Sequence, residues 1–292
     1  MKIESFFDPA TFTFTHILWD EATQRTAILD PVLDYDPRSG RTRTTNADRV
    51  VSRVRELGLE VDWLLETHVH ADHLSAAPYL KAQLGGRIVI GSNVTVVQRT
   101  FGNLFNAGDE FARDGRQFDR LVTEGDRLDV GNLRIAVLHT PGHTPACVSY
   151  IVEDLAAAPP QRVAFVGDTL FMPDYGTARC DFPGGNAREL YRSIRKLLAL
   201  PPDTQLYLCH DYPPAGRAQQ CITTVAAQRE SNIHVHDGVD EQAFVDLREA
   251  RDAKLEMPVL ILPSVQVNMR AGHLPPPEDN GIAYLKIPLN AV

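Results

Sequence analysis

Long apolar runs are missing from this 292-residue chain. No stretch nears the ~18 consecutive apolar residues of a membrane helix. The opening MKIESFFDPATFTFTH carries acids early and has no continuous apolar core, so it does not read as a secretory signal. Cysteine is scarce as well. Cys147, Cys180, Cys209 and Cys221 are widely spaced with no CxxC, which argues against a disulfide framework and for reduced thiols in a cytoplasmic protein. A basic excess is also absent: 29 Lys and Arg against 38 Asp and Glu give a formal net charge of −9. That sign excludes a general phosphate-backbone binder, although a local Arg or a metal can still hold a small anion. Dinucleotide-type glycine loops are missing too, since GGR at 85–87 and PGG at 183–185 lack the strand–GxGxxG–helix setting and read as turns. Internal repeats and low-complexity linkers are absent, so a single domain is expected over 1–292, with 232–292 as a C-terminal extension packed on it.

The segments that are present alternate between strand and helix. TFTFTHILWD and RTAILDPV read as strands. Val50, Val51, Val54 and Leu57 recur at helical spacing within 46–58, which ends at Gly58. VDWLLETH is a short buried strand, 74–84 a helix with Pro78 in its first turns, and GRIVIGS another strand. Two strands are expected around the turn DVGN in 121–140, and ACVSYIVED and RVAFVGD add two more. An amphipathic helix over 187–200 ends at Pro201 and Pro202, and TQLYLCHD is a further strand. Two helices should follow, at 217–231 and 240–256. The closing PSVQVNMRAGHLPPPEDNG is rich in Pro and turn formers and reads as an ordered but irregular wrap. The arginine-rich RSGRTRTTNADR at 38–49 reads as a solvated loop ahead of a helix. The class is α/β.

Histidine is where the sequence is unusual. The chain has ten, and three of them fall with an aspartate in THVHADH, positions 67–73. Four strands each end in a potential ligand: LLETH at His68, IAVLHTPGH at His143, VAFVGD at Asp168 and LYLCHD at His210. Side chains presented from strand ends on one sheet edge form a rigid site. With His70, Asp72 and His73 the set reaches seven imidazole and carboxylate donors, the types that bind Zn, Fe and Mn. Seven suffice for two adjacent ions, and spacing does not choose between one and two. His16, His139, His234, His236 and His273 stand alone and are expected to make ordinary hydrogen bonds.

THVHADH, TPGHT at 140–144, GDTLF at 167–171 and CHD at 209–211, in that order, resemble the metallo-β-lactamase superfamily. The resemblance implies a four-layer αββα sandwich with the site at its edge. That fold hosts many chemistries, so function rests on the site. MPDYGTARCDFPGG at 172–185 is similar to the persulfide dioxygenase branch, whose Arg-x-Asp-Phe element is matched by Arg179, Asp181 and Phe182, with Cys180 where that branch commonly has threonine. LCHDY at 208–212 also fits that branch, and the remaining C-terminal stretch resembles a bacterial β-lactamase-like hydrolase subgroup linked to sulfide detoxification.

This branch implies one Fe(II) per chain on His68, His143 and Asp168, with His70, Asp72, His73 and His210 as outer hydrogen-bonding partners. The implied reaction oxidises glutathione persulfide with O2 to sulfite and glutathione. Glutathione is anionic, and Arg179, Tyr175, Tyr212 and Arg270 are the expected contacts. Arg179 pairing with Asp181 as a loop brace is the plainer alternative, and Cys180 reads as a small half-buried side chain rather than a reactive thiol. The resemblance also implies a homodimer. The competing reading is a dinuclear zinc hydrolase of glyoxalase II type acting on S-lactoylglutathione, although the C-terminal region does not resemble the helical glutathione-binding domain of those enzymes. A metal or sulfide sensor would have no need of all seven donors.

Overall fold

The computed structural model describes residues 1–291. Its first half runs β1 (Lys2–Asp8), β2 (Thr13–Trp19), β3 (Arg25–Leu29), β4 (Val32–Asp36), β5 (Arg41–Arg43), α1 (Thr45–Glu56), β6 (Glu60–Leu65), β7 (Leu74–Ser75), α2 (Ala77–Leu84), β8 (Arg87–Gly91), α3 (Val94–Leu104) and β9 (Arg120–Val122). The second half runs β10 (Arg127–Val130), β11 (Leu133–His139), β12 (Val148–Asp154), β13 (Gln161–Phe165), α4 (Ala187–Leu198), β14 (Gln205–Tyr207), β15 (Ile222–Thr224), α5 (Val225–Ser231), α6 (Glu241–Asp252) and α7 (Ile261–Asn268). Two six-stranded mixed sheets form, ordered β1-β2-β3-β6-β8-β9 and β10-β11-β12-β13-β14-β15, beside a small β5-β4-β7 sheet.

Strand periodicity explains the layering. Successive side chains point to opposite faces, and these strands are apolar on both. Leu18, Leu29, Leu65 and Val89 meet Val137, Tyr150, Val152 and Phe165 between the two sheets. Their neighbours Ile17, Ile28, Leu64 and Ile90 face α1, α2, α3 and α7 on the other side. On the second sheet Ile151, Ala164 and Leu206 turn outward onto α4, α5 and α6. The result is the expected αββα stack, and no helix among the described residues is long and apolar enough to cross a membrane.

Several expected elements differ. The segment 121–140 contributes three strands: β9 closes the first sheet, and the chain then crosses so that β10 and β11 open the second. The helix expected from 74 starts at Ala77, with Pro78 near its N-terminus, where a missing N–H costs nothing. The helix expected over 217–231 begins only at Val225, because Ile222–Thr224 pair with β14. The strand β1 and the helix α3 were not anticipated. The stretch read as an irregular wrap, from 263, takes in most of α7, which buries Ile261, Val265 and Val267. Its Pro263 falls in the first helical turn, where proline is compatible with helix.

One glycine locks a ligand loop to the helical layer. Gly142, in TPGHT, adopts a positive φ of 137°, and a Cβ there would collide with the backbone of Leu190 on α4. Strain and overpacking each cost roughly 1–3 kcal/mol. Gly142→Ala is therefore expected to lose roughly 2–4 kcal/mol of unfolding free energy in a urea titration.

Candidate metal centre

The four strand ends converge. Nε2 of His68, Nε2 of His143 and a carboxylate oxygen of Asp168 form one group whose potential ligand atoms all lie within 4.8 Å of one another, and His70, Asp72, His73 and His210 form a second. The groups touch: Asp168 Oδ2 is 3.8 Å from His68 Nε2 and 3.7 Å from His143 Nε2, while its Oδ1 is 3.4 Å from His210 Nε2. Asp72 Oδ2 lies 3.1 Å from the same His210 nitrogen. All seven residues predicted from sequence are thus brought to one place, and all but Asp72 are buried.

Each ring is held by the nitrogen that faces away from the centre. His143 Nδ1 donates to the backbone carbonyl of Arg179 at 2.7 Å. His68 Nδ1 donates to Thr67 Oγ1 at 3.0 Å, whose hydroxyl passes the bond to Asp30. His210 Nδ1 donates to the carbonyl of Phe12 at 3.3 Å, and His73 Nδ1 lies 3.4 Å from Thr13 Oγ1. His70 is reversed: its Nε2 is 3.0 Å from Asp30 Oδ1 and 3.2 Å from Glu66 Oε2. These contacts leave His68 Nε2, His70 Nδ1, Asp72 Oδ2, His73 Nε2, Asp168 Oδ1 and His210 Nε2 buried without a hydrogen-bond partner. Native interiors rarely leave such groups unpaired. Six of them aimed inward from imidazole and carboxylate fit a metal cation, with the outward bonds fixing ring orientation.

Protonation follows the surroundings. Burial, reinforced by His70 and His143, drives the His68 pKa well below its ordinary value, and His73 is lowered in the same way. Both therefore rest as the neutral rings that metals bind. Burial opposes charge on His70, but Asp30 and Glu66 outweigh it and hold its pKa well above normal, so its Nδ1 would give up a proton to a bound metal. Asp72 is likewise held ionised, its desolvation offset by His210 and His73.

The supporting residues come from far along the chain. Asn268 on α7 donates to the carbonyls of His70 (2.9 Å) and His73 (2.7 Å), while its Oδ1 accepts from Ser75 N at 2.8 Å. Asp30, Glu66, Thr67, Thr13 and Asn268 escaped the sequence reading. Only the two flanking the histidine motif gave any local hint.

A cavity of about 250 Å³ opens in front of His143 and Asp168. Arg179, Tyr175 and Tyr212 line it as expected. Arg179 binds both oxygens of Asp181 at 2.6 Å and the Glu256 carbonyl at 2.7 Å, so its guanidinium braces the loop while its carbonyl orients His143. Arg270 is not among the lining residues; it lies 4.2 Å over the Phe111 ring. The C-terminal residues that do reach the cavity are Arg248, Arg251, Leu255 and Pro258. Cys180 is buried against Asp252, and burial pushes its thiol far up, away from a reactive thiolate. His16 and His234 make the ordinary bonds expected, to Leu208 O and to the Thr177 backbone.

Comparison with known proteins agrees with this geometry. A probable metallo-hydrolase of Burkholderia pseudomallei is 64% identical over the full length of both chains. Glyoxylase B2 of Dictyostelium discoideum is 50% identical, covering 99% of this chain and 97% of that one. The human mitochondrial persulfide dioxygenase ETHE1 is 29% identical over 92% of this chain and 88% of its own. Among solved structures, ETHE1 from Myxococcus xanthus superposes with a TM-score of 0.72 at 31% identity, over 94% of this chain and all of that one. Residues 13–210, which run from the first buried strand to His210 and include every ligand candidate, match the model of the metallo-beta-lactamase superfamily, and the chain belongs to that superfamily.

Proposed function

We propose that this protein is an iron-dependent persulfide dioxygenase acting on glutathione persulfide. In the balanced reaction glutathione persulfide, O2 and water give glutathione, sulfite and two protons; the S–S bond breaks and the terminal sulfur yields the four electrons that O2 accepts. The observation that carries the reading is the full-length likeness to ETHE1 of Myxococcus xanthus, joined to the part ARCDF plays at the centre, where the Arg179 carbonyl holds His143.

His68, His143 and Asp168 would hold the ion. Fe(II) there would supply a redox-active centre for O2 chemistry, which d10 zinc cannot. The chain's own contribution is placement. Thr67 and Arg179 O fix the two imidazoles, and the Arg179–Asp181 pair keeps that carbonyl in place. Phe171, Phe182 and Leu255 give the cavity apolar walls that limit water near the reacting sulfur. Tyr212 lies at its edge as a neutral phenol, its pKa raised well above normal by burial and by Asp72 and Asp168.

A second reading has its own support. The unpartnered atoms come from both ligand groups, as a dinuclear zinc thioester hydrolase would need, and a relative at 50% identity is named Glyoxylase B2. Zinc would lower the pKa of bound water to about 7 for hydrolysis. Metal content separates the two: one iron per chain supports the dioxygenase, and two zincs with S-lactoylglutathione turnover support the hydrolase.

Purified iron-loaded protein is expected to consume O2 with glutathione persulfide and release sulfite. An electrode trace no faster than that of a His68→Ala control sinks the proposal. Removal of metal by a chelator should lower Tm on the order of 5–10 °C, because buried donors lose their partner; an unchanged melting curve would contradict the reading of the orphaned atoms. Asp30→Asn, which disturbs the bonds to Thr67 and His70, should weaken metal affinity 10–100-fold in chelator competition.

A further inference from the structure

Two cavities meet beside the metal centre. Asp72 and Tyr212 line both the 250 Å³ cavity in front of His143 and a larger one of about 750 Å³. The segment between α6 and α7 walls both, with Leu255 and Pro258 on the first and Val259 and Leu260 on the second. A ligand that passes Asp72 and Tyr212 would have one end in each cavity.

The two ends differ in charge. Three arginines line the smaller cavity. Arg179 is paired with Asp181, and Arg248 with Asp252 at 2.6 Å. Arg251 is exposed and pairs with no carboxylate among the described residues; it lies 5.8 Å over the Tyr175 ring. The only carboxylates on this wall, Asp72 and Asp168, belong to the metal centre. The larger cavity mixes signs. Arg41 and Arg43, from the stretch that read as a solvated loop, line it together with Asp8, Asp34 and Asp36. Both arginines lack an ion pair among the described residues. Their cross-strand neighbours Asp36 and Asp34 are engaged elsewhere, by Ser39 and Asn46.

We propose that Arg251 binds the glycyl carboxylate of a glutathione-type substrate, while the β4–β5 hairpin, beyond Asp72 and Tyr212, receives its zwitterionic γ-glutamyl end. This deepens the reading above and rests on it for the class of substrate. A free carboxylate matches a site offering one unpaired guanidinium and no spare acid. An α-carboxylate beside an α-ammonium matches a site offering both signs. The cysteinyl sulfur, midway along the tripeptide, is thereby placed at Asp72 and Tyr212, which both cavities share. Arg251 is a specificity-determining residue, not a catalytic one.

The test is anaerobic calorimetry on the metal-loaded protein with glutathione and with its glycinamide, which lacks the terminal charge. Wild type is expected to prefer glutathione by about tenfold or more, the size of one charge-assisted hydrogen bond. Arg251→Gln should bind glutathione about tenfold more weakly and lose that preference, with KM raised and kcat little changed. The double variant Arg41→Gln, Arg43→Gln should weaken both ligands equally and keep the preference, which also guards against a general loss of folding. Undiminished preference in Arg251→Gln, or no glutathione binding by wild type, overturns the assignment; loss of preference only in the hairpin variant overturns its orientation. Glutathione binding that depends on Arg251 without any O2 uptake supports this assignment while removing the dioxygenase.

Discussion

The structure is organised by the cost of leaving buried nitrogen and oxygen atoms unpaired. Six such atoms from six residues face one another at the edge of the sandwich, and each unsatisfied group costs about 1–3 kcal/mol. The opposite side of each imidazole is already committed to a protein partner, which leaves the inward-facing atoms to metal binding. Metal binding would relieve those of each ligand group together. The outward bonds hold the ligands at the right angle, and the cation compensates for placing them there.

The same constraint explains why distant parts of the chain meet here. The histidine loop between β6 and β7 cannot satisfy its own backbone, and Asn268 on α7 caps the carbonyls of His70 and His73. The carbonyl of Arg179 does the corresponding work for His143, with Asp181 and the Glu256 carbonyl anchoring its guanidinium. The C-terminal elements thus brace the centre and, through Arg251 and residues 255–260, wall the approach to it. Residues that hold ligands and residues that shape access lie on the same segments.

Legibility in the sequence depended on range. THVHADH is local, and its three histidines and aspartate announce a ligand cluster without any fold. His143, Asp168 and His210 were legible because each follows a strand pattern, and strands of one sheet bring their ends to a common edge. Asp30 was not legible: an aspartate in the turn LDPV looks like any other turn residue until β3 and β6 pair in parallel and set it beside Thr67. Arg270 was singled out for its type and proximity to the motif-like C-terminus, yet the turn after α7 carries it onto Phe111. Arg41 and Arg43 were passed over because an arginine-rich, turn-rich stretch resembles solvated loop, and only pairing with β4 places them on a cavity wall.

Taken alone, the sequence determined the α/β class, the ligand types and their order along the chain, because periodicity and motif spacing are properties of neighbours. Tertiary structure decided which nitrogen of each ring faces inward, which arginines are already neutralised by a carboxylate, and that two cavities meet at one centre. Those outcomes depend on contacts between residues as far apart as His70 and Asn268. Local sequence carries no record of such contacts, because their energies arise only once the sheets have stacked and water has been excluded between them.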